Sequence, residues 1–156
     1  MTTVVFRFYG ELNAFLAPWQ RGRDFAHRGA AQASLKHRIE ALGVPHTEVD
    51  MVLVGGAPAG FAHVPADGER VAVYPAFRAL CVDPAARLRE PPARPLRFIA
   101  DAHLGGLARL LRMAGFDTLY DNHFHDRDIE AIAARQARVV LSRDRELLKR
   151  RTIVHG

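Results

Sequence analysis

Three aspartates in the second half of the chain have the positions that metal-dependent chemistry requires. Asp101 directly follows the apolar run 98–100. Asp144 lies three residues after the predicted strand 138–141, and Asp126 opens an amphipathic stretch. Clustered carboxylates repel one another unless a cation lies between them. Their hard oxygen atoms suit Mg²⁺ or Mn²⁺, and such ions activate water and stabilise the leaving oxygen in phosphodiester cleavage. The pattern therefore raises the hypothesis of a metal-dependent nuclease.

Helix capping is the alternative for two of these acids. Asp is a favoured N-cap residue, and Asp126 and Asp144 both lie where a helix is expected to begin. Asp101 is harder to assign to capping, because Gly105 and Gly106 indicate a close approach to the backbone there. Asp128 is interpreted as an acid that complements the dipole in the first turn of a helix. The spacing of these residues alone does not decide between a metal site and helix caps.

The elements around these acids alternate between strand and helix. Strands are predicted at 96–100, 116–120 and 138–141, with the start of another at 152–154. Such alternation predicts a parallel sheet with right-handed crossovers, whose ligand site lies outside the carboxyl ends of the strands. Asp101 and Asp144 should then emerge at one edge. Asp126 joins them only if the start of its helix folds over the sheet end.

The first half of the chain has a different pattern, which predicts β-β-α-β-β. Alternation favours a strand at 4–9, and residues 25–27 form a weaker candidate. Ser34 is the expected N-cap of a helix that Gly43 ends. Strands are predicted at 49–56 and 66–75, and the proline-rich segment 81–95 is predicted to be a linker between two domains.

The composition of the chain indicates which binding partners and which cellular compartment to expect. The chain has 156 residues, a net charge of +5 and a pI of about 10.1, and nearly all its positive charge is arginine, whose planar fork fits phosphate. Two explanations of this arginine content stay open: an RNA or polyphosphate partner, and a genome-wide bias toward Arg and Ala. The single cysteine, Cys81, fits a reducing compartment. Without a signal peptide or an apolar run of about 20 residues, we expect a cytoplasmic protein with no membrane association.

Two stretches carry a resemblance to a known nuclease family. "RFIADAHLGGLARLLRMAGFDTLYDN" and "DRDIEAIAARQARVVLSRDRELLKRR" resemble the Mut-seven C-terminal RNase family, a compact branch of the PIN nucleases. The resemblance implies that Asp101, Asp126 and Asp144 are the catalytic, metal-binding set. Ser142 stands where the family often has Thr, and its hydroxyl is expected to orient a carboxylate or a metal-bound water. In the helix that follows Asp101, a buried stripe is predicted from Leu104, Leu107, Ala108 and Leu111. Arg109 and Arg112 lie on another face of this helix, and together with Arg143 they are the candidates for contact with substrate phosphates.

The first half resembles the ubiquitin-like β-grasp domain that precedes this RNase in many bacterial relatives. The stretches that carry this resemblance are "VVFRFYGELNAFL", "SLKHRIEALGVPHTEVDMVLVGG" and "DGERVAVYPAF". The expected architecture is an α+β ubiquitin-like β-grasp domain at 1–80, a linker at 81–95 and a compact α/β PIN-like domain with a parallel sheet at 96–156. The family normally continues into a Cys-rich zinc ribbon, so we expect the second domain to be C-terminally truncated.

Together these observations predict a PIN-type ribonuclease that uses Mg²⁺ or Mn²⁺ to hydrolyse RNA, and the resemblance implies products with 5′-phosphate and 3′-hydroxyl ends. The sequence leaves open whether a truncated form is active. Two alternatives stay open. In one, the chain is a non-catalytic module that binds RNA or protein, with the β-grasp domain as an adaptor. In the other, it is a toxin-like nuclease that a partner protein controls.

Overall fold

The computed structural model describes residues 1–76 and 83–156, which form two compact units, Met1–Glu90 and Pro91–Gly156. Three of the sequence predictions concern residues outside these ranges, in whole or in part. The end of the first predicted domain, the first two residues of the predicted linker and the cysteine at position 81 lie outside the described residues.

Within its described residues, the first unit is a mixed five-stranded sheet with one short α-helix and several 3-10 turns. Its strands lie in the order β2-β1-β5-β3-β4, with β1 and β5 parallel and the other pairs antiparallel. This is the α+β arrangement that the sequence predicted, with the short β4 as an addition. The elements are β1 (Thr2–Phe8), β2 (Phe25–Gly29), α1 (Leu35–Ala41), β3 (Met51–Val54), β4 (Ala57–Pro58) and β5 (Arg70–Tyr74).

Alternating side chains build the core of this unit. Val4, Phe6 and Phe8 on β1 are at most 1% exposed, which confirms the predicted period of two. Burying aliphatic and aromatic side chains of this kind contributes about 1.5–3 kcal/mol each. The Ser34 hydroxyl accepts a hydrogen bond from the His37 N–H at the start of α1, so the predicted N-cap is confirmed.

A buried arginine also lies in the first unit, and no sequence pattern predicted its burial. Arg38 is 1% exposed, and its guanidinium donates to the carbonyls of Ala30 at 2.7 Å and Ala33 at 3.2 Å. It also donates to the carbonyl and hydroxyl of Thr2. These oxygen acceptors replace water around the buried cation.

Part of the segment predicted to be a linker packs on the first unit. Leu88 contacts the core, and its N–H donates to the Asp50 carbonyl at 2.8 Å. The Arg89 guanidinium donates to the backbone carbonyls of His46 and Thr47, and burial lowers the pKa of Arg89. The proline-rich composition of the segment did not reveal these anchors.

The second unit is a three-stranded parallel sheet with helices, in the order β7-β6-β8. This confirms the predicted α/β alternation. The elements are β6 (Arg97–Ala100), α2 (Gly105–Met113), β7 (Asp117–Tyr120), α3 (Asp126–Gln136), β8 (Val139–Leu141) and α4 (Arg145–Leu148). The predicted strand start at 152–154 is not a strand, although Ile153 is buried in the core and the Val140 N–H donates to the His155 carbonyl.

Helix α2 buries most of the face that the sequence predicted. Ala108 is fully buried, and Leu104 and Leu111 are partly buried, as expected for this stripe. Leu107 departs from the prediction, because it is 40% exposed. Gly105 packs so closely that a Cβ there would lie 2.6 Å from the Tyr120 hydroxyl oxygen. The small residues Gly105 and Ala108 therefore allow a close approach of the helix, and Leu107 lies at the edge of its buried face.

A second buried arginine ties the strands together at their amino-terminal ends. Arg138 is 5% exposed and donates to the Phe98 carbonyl of β6 at 3.0 Å. It also donates to both carboxylate oxygens of Asp117 on β7, at 2.8 and 3.0 Å, and Arg97 donates to the same carboxylate at 3.0 Å. The bidentate geometry is the one that guanidinium and carboxylate groups favour.

The ion pair between Asp117 and Arg138 predicts how the stability of the protein depends on pH. The hydrogen bond from Arg138 holds the pKa of Asp117 below its usual value, so the stabilisation is complete above the unfolded pKa, near 4. It is lost as the pH falls through the lower, folded pKa. We expect Asp117→Asn to lower the Tm at pH 7, and this difference from wild type should shrink below about pH 4. Thermal unfolding at several pH values measures it; a constant difference would contradict this linkage.

Candidate active site

The carboxyl edge of the parallel sheet brings together two acids and a serine. The Asp101 N–H donates to the Leu141 carbonyl at 3.0 Å, which extends the pairing of β6 with β8 to the end of the strands. The Ser142 hydroxyl donates to Oδ2 of Asp101 and accepts a hydrogen bond from the Asp144 N–H at 2.9 Å. One hydroxyl therefore links the Asp101 and Asp144 segments, in the place where the parallel topology predicted a site.

Asp101 and Asp144 differ in burial and in how many of their carboxylate oxygens accept hydrogen bonds. Asp101 is 8% exposed, and its Oδ1 accepts the His103 N–H at 2.8 Å. Asp144 is exposed, and its Oδ1 accepts the Glu146 N–H at 2.8 Å as the N-cap of α4. Its Oδ2 accepts no hydrogen bond from the residues that the structure describes. Capping thus occupies one oxygen of Asp144 and leaves the other available.

Asp126 is not part of this pair. It is the first residue of α3, and its Oδ2 accepts a hydrogen bond from the Arg150 guanidinium at 2.9 Å. The same guanidinium donates to Glu130 at 2.9 Å, and the Thr152 hydroxyl donates to the other oxygen of Glu130. The third acid of the predicted set therefore pairs with a cation supplied by the chain itself.

The helix cap that was considered for Asp126 lies on neighbouring residues. His125 is the N-cap of α3, and its backbone N–H donates to Oδ2 of Asp128 at 2.9 Å. Asp128 therefore satisfies an otherwise free donor in addition to complementing the helix dipole. Asp126 makes no such cap, so its carboxylate is committed to Arg150.

Among the three predicted acids, Asp101 and Asp144 have the donor chemistry and the shared sheet edge that a hard divalent ion would need. Across residues 1–76 and 83–156, no three His, Cys, Asp or Glu side chains lie close enough to hold a metal ion. Mg²⁺, however, keeps several water ligands and is commonly bound through one or two carboxylates. Asp101 and Asp144 supply oxygens of that kind, whereas Asp126 lies outside such a set.

The predicted phosphate-binding arginines occupy different environments. Arg143 is exposed and lies between Ser142 and Asp144 in the chain, and Arg109 is exposed on α2. Arg112 is exposed as well, but its Nε donates to the Thr118 carbonyl at 2.8 Å. Arg112 therefore attaches the helix to β7.

Sequence reasoning missed a tyrosine at this edge. Tyr120 ends β7 opposite Ala100, and its hydroxyl oxygen lies 3.1 Å from the Ala102 carbonyl and 2.6 Å from Oδ1 of Asn122. Its ring explains why position 105 is a glycine. The available signal was its place at the carboxyl end of a predicted strand.

The Ser142 link predicts that the hydroxyl, and not side-chain size, maintains the edge. Ser142→Ala removes the donor to Asp101 and the acceptor for the Asp144 N–H, and we expect RNA cleavage to fall by about 10- to 100-fold, as for other residues that orient ligands. Ser142→Thr retains the hydroxyl and should stay within about threefold of wild type. Initial cleavage rates measure both variants. Equal rates for Ala and wild type would exclude a positioning role.

The first unit has a separate open surface on its sheet. A cavity of about 400 Å³ is lined by residues from β1, β3 and β5. Within it, the rings of Tyr9 and Tyr74 stack with centroids 4.4 Å apart, and the Arg7 guanidinium lies 5.3 Å from the Tyr9 centroid. Asp24 pairs with Arg7 and with Arg70. Stacked aromatics beside guanidinium groups are typical of surfaces that bind partners.

The fold and the acidic edge define a two-part protein, in which a ubiquitin-like domain precedes a nuclease-like α/β domain. The chain belongs to the Mut7-C ubiquitin family, whose model matches residues 1–81. Residues 96–156 match the model of the Mut7-C RNAse domain. These matches confirm the resemblance that the sequence motifs carried.

Two solved structures from Haloferax volcanii, both of small archaeal modifier protein 1 (SAMP1), are similar to part of the chain. Each shares 15% identity over 49% of this chain, with a TM-score of 0.39, and the matches cover 100% and 98% of the two solved chains. No curated protein matches the sequence. In the described ranges, every helix is too short or too polar to cross a membrane.

Proposed function

We propose that the chain is a PIN-type, metal-dependent ribonuclease whose active site is the Asp101–Ser142–Asp144 edge. The observation that carries this proposal is the Ser142 hydroxyl, which links two acidic segments at the carboxyl ends of parallel strands. That edge lies in the unit that matches the Mut7-C RNAse domain. Ligand sites of open α/β sheets are found at this edge.

The proposed reaction is in-line attack of water on an RNA phosphodiester. A bond forms between the water oxygen and phosphorus while the bond to the 3′ oxygen breaks, which gives 5′-phosphate and 3′-hydroxyl ends. The open oxygen of Asp144 can accept a proton from the attacking water, and the leaving 3′ oxygen takes up a proton from solvent. Asp101 and Asp144 would hold a Mg²⁺ or Mn²⁺ ion, which would supply positive charge to stabilise the phosphoryl oxygens.

The remaining residues position the acids and the substrate. Ser142 and the His103 N–H hold both oxygens of Asp101, so this buried carboxylate has a fixed orientation. Arg143 and Arg109 are exposed cations that can contact RNA phosphates. In this proposal Asp126 is not a metal ligand in the resting arrangement, and Arg112 supports the fold.

A binding role for the N-terminal domain is a second candidate function. The stacked Tyr9 and Tyr74 rings with Arg7 form an open surface that can bind RNA or a partner protein. We propose that this domain recruits a partner, and that the protein acts in the reducing cytoplasm. If binding were the whole function, RNA would be retained without cleavage, and Asp101→Asn would not change the retention.

A cleavage assay with the full chain tests the proposed function. Labelled single-stranded and structured RNAs are incubated with Mg²⁺, Mn²⁺ or EDTA, and the products and their ends are resolved on a gel. The proposal predicts cleavage with either metal and none with EDTA. Cleavage that persists in EDTA would refute the metal dependence, and bound but intact RNA under all conditions would favour the binding module.

A further inference from the structure

We infer that Arg150 is a built-in counter-cation that competes with a divalent metal ion for Asp126. This inference rests on the proposed function, because it concerns a metal ion at the neighbouring Asp101–Asp144 pair. It assigns to Arg150 a positioning role, since the residue acts by holding Asp126 and does not touch the reacting atoms.

Arg150 contacts two acids and responds electrostatically to a third. Its guanidinium donates to Asp126 at 2.9 Å and to Glu130 at 2.9 Å. The hydrogen bond with Glu130 raises the pKa of Arg150, and the charges of Asp126 and Asp144 act in the same direction. Asp144 belongs to the proposed metal-binding pair, so the guanidinium lies within electrostatic reach of both acidic groups.

The surroundings of this ion pair are open enough for an exchange of partners. The side chains of Arg150 and Asp126 are 34% and 47% exposed. They line a cavity of about 600 Å³, together with Phe124, His125, Arg127 and Asp128. Glu130 is held separately by the Thr152 hydroxyl, so it keeps a partner when Asp126 turns away. A small cation can therefore approach Asp126 from solvent.

Charge explains why Arg150 and a divalent ion exclude each other. With Arg150 in place, the charge of Asp126 is neutralised and a positive group stands near Asp144, which repels a further cation. Without Arg150, Asp126 is a carboxylate that lacks its counter-charge, and an unpaired carboxylate favours a bound cation.

Titration of the full chain with Mn²⁺, with free Mn²⁺ measured by electron paramagnetic resonance, tests the inference without any assay of activity. Arg150→Gln should bind Mn²⁺ about fivefold more tightly than wild type, the effect of one exposed ion pair. Arg151→Gln removes the same charge one residue along the chain and should stay within about twofold. In Arg150→Gln/Asp126→Asn, the gain should disappear.

Arg150→Lys provides a second variant that keeps the positive charge, in case the glutamine variant unfolds, which thermal unfolding will show. Its Mn²⁺ affinity should stay within about twofold of wild type. Three results would each overturn the competition. They are an unchanged Mn²⁺ affinity in Arg150→Gln, a gain in affinity that survives Asp126→Asn, and binding by Arg150→Lys as tight as binding by Arg150→Gln.

The titration also separates this inference from the proposed function. If Asp101→Asn abolishes Mn²⁺ binding while Arg150→Gln leaves it unchanged, the metal site stands and the role of Arg150 is refuted. If neither wild type nor Arg150→Gln binds Mn²⁺, both the metal dependence and the competition are refuted.

Discussion

Asp101→Asn is expected to reduce the initial rate of RNA cleavage by about 100-fold or more, which is the scale of losing one preorganised charged group from an active site. Asp101 is the buried member of the acid pair, and both of its oxygens are oriented by hydrogen bonds. An amide has nearly the same shape but no negative charge, so the fold should persist. The rate is measured with labelled RNA and Mn²⁺ under single-turnover conditions.

Asp128→Asn is the matched control for this substitution. Asp128 is an acid of the same unit that caps α3 through the His125 N–H, and asparagine can accept that hydrogen bond. Its cleavage rate should stay within about twofold of wild type. If the two variants cleaved RNA equally well, Asp101 would have no role in catalysis.

Arg138→Gln is expected to destabilise the second unit by about 2–3 kcal/mol, because the buried acceptors that it leaves lose charged donors. Arg138 joins β6 to β7 through Phe98 and Asp117. For a unit of this size, such a loss lowers the Tm by about 10 °C or more. Hydrogen exchange at the β6 amides reports this unit directly and should become faster.

Arg135→Gln serves as the control for that loss. Arg135 is exposed in the last turn of α3, and a surface substitution of this kind changes stability by about 0.5 kcal/mol or less. If both arginine variants exchanged the β6 amides at the wild-type rate, the strand-joining role of Arg138 would be wrong.

The fold followed from sequence where periodicity sets which side chains are buried. Val4, Phe6 and Phe8 alternate, and their burial is as predicted. The exposure of Leu107 on α2 did not follow, because the packing of this helix depends on the contact between Gly105 and Tyr120, which are 15 positions apart. Burial of Arg38 and Arg138 was equally hidden, since an arginine is ordinarily exposed and only the folded chain supplies its oxygen acceptors.

The candidate site was also predictable from the sequence only in part. Parallel topology alone predicted that Asp101 and Asp144 share an edge, and the hydrogen bonds of Ser142 agree with that placement. The pairing of Asp126 with Arg150 joins residues 24 positions apart. Neither spacing nor resemblance indicated it, because it depends on how the end of the chain packs against α3.

A double-substitution cycle on the acid pair is the most direct test of the central claim. Single-turnover cleavage rates are compared for wild type, Asp101→Asn, Asp144→Asn and the double variant with Mn²⁺. If the two carboxylates act as one site, each single substitution should cause most of the loss, and the double variant should be little slower than the slower single variant. Losses that multiply, or wild-type rates in either single variant, would contradict a shared catalytic site at this edge.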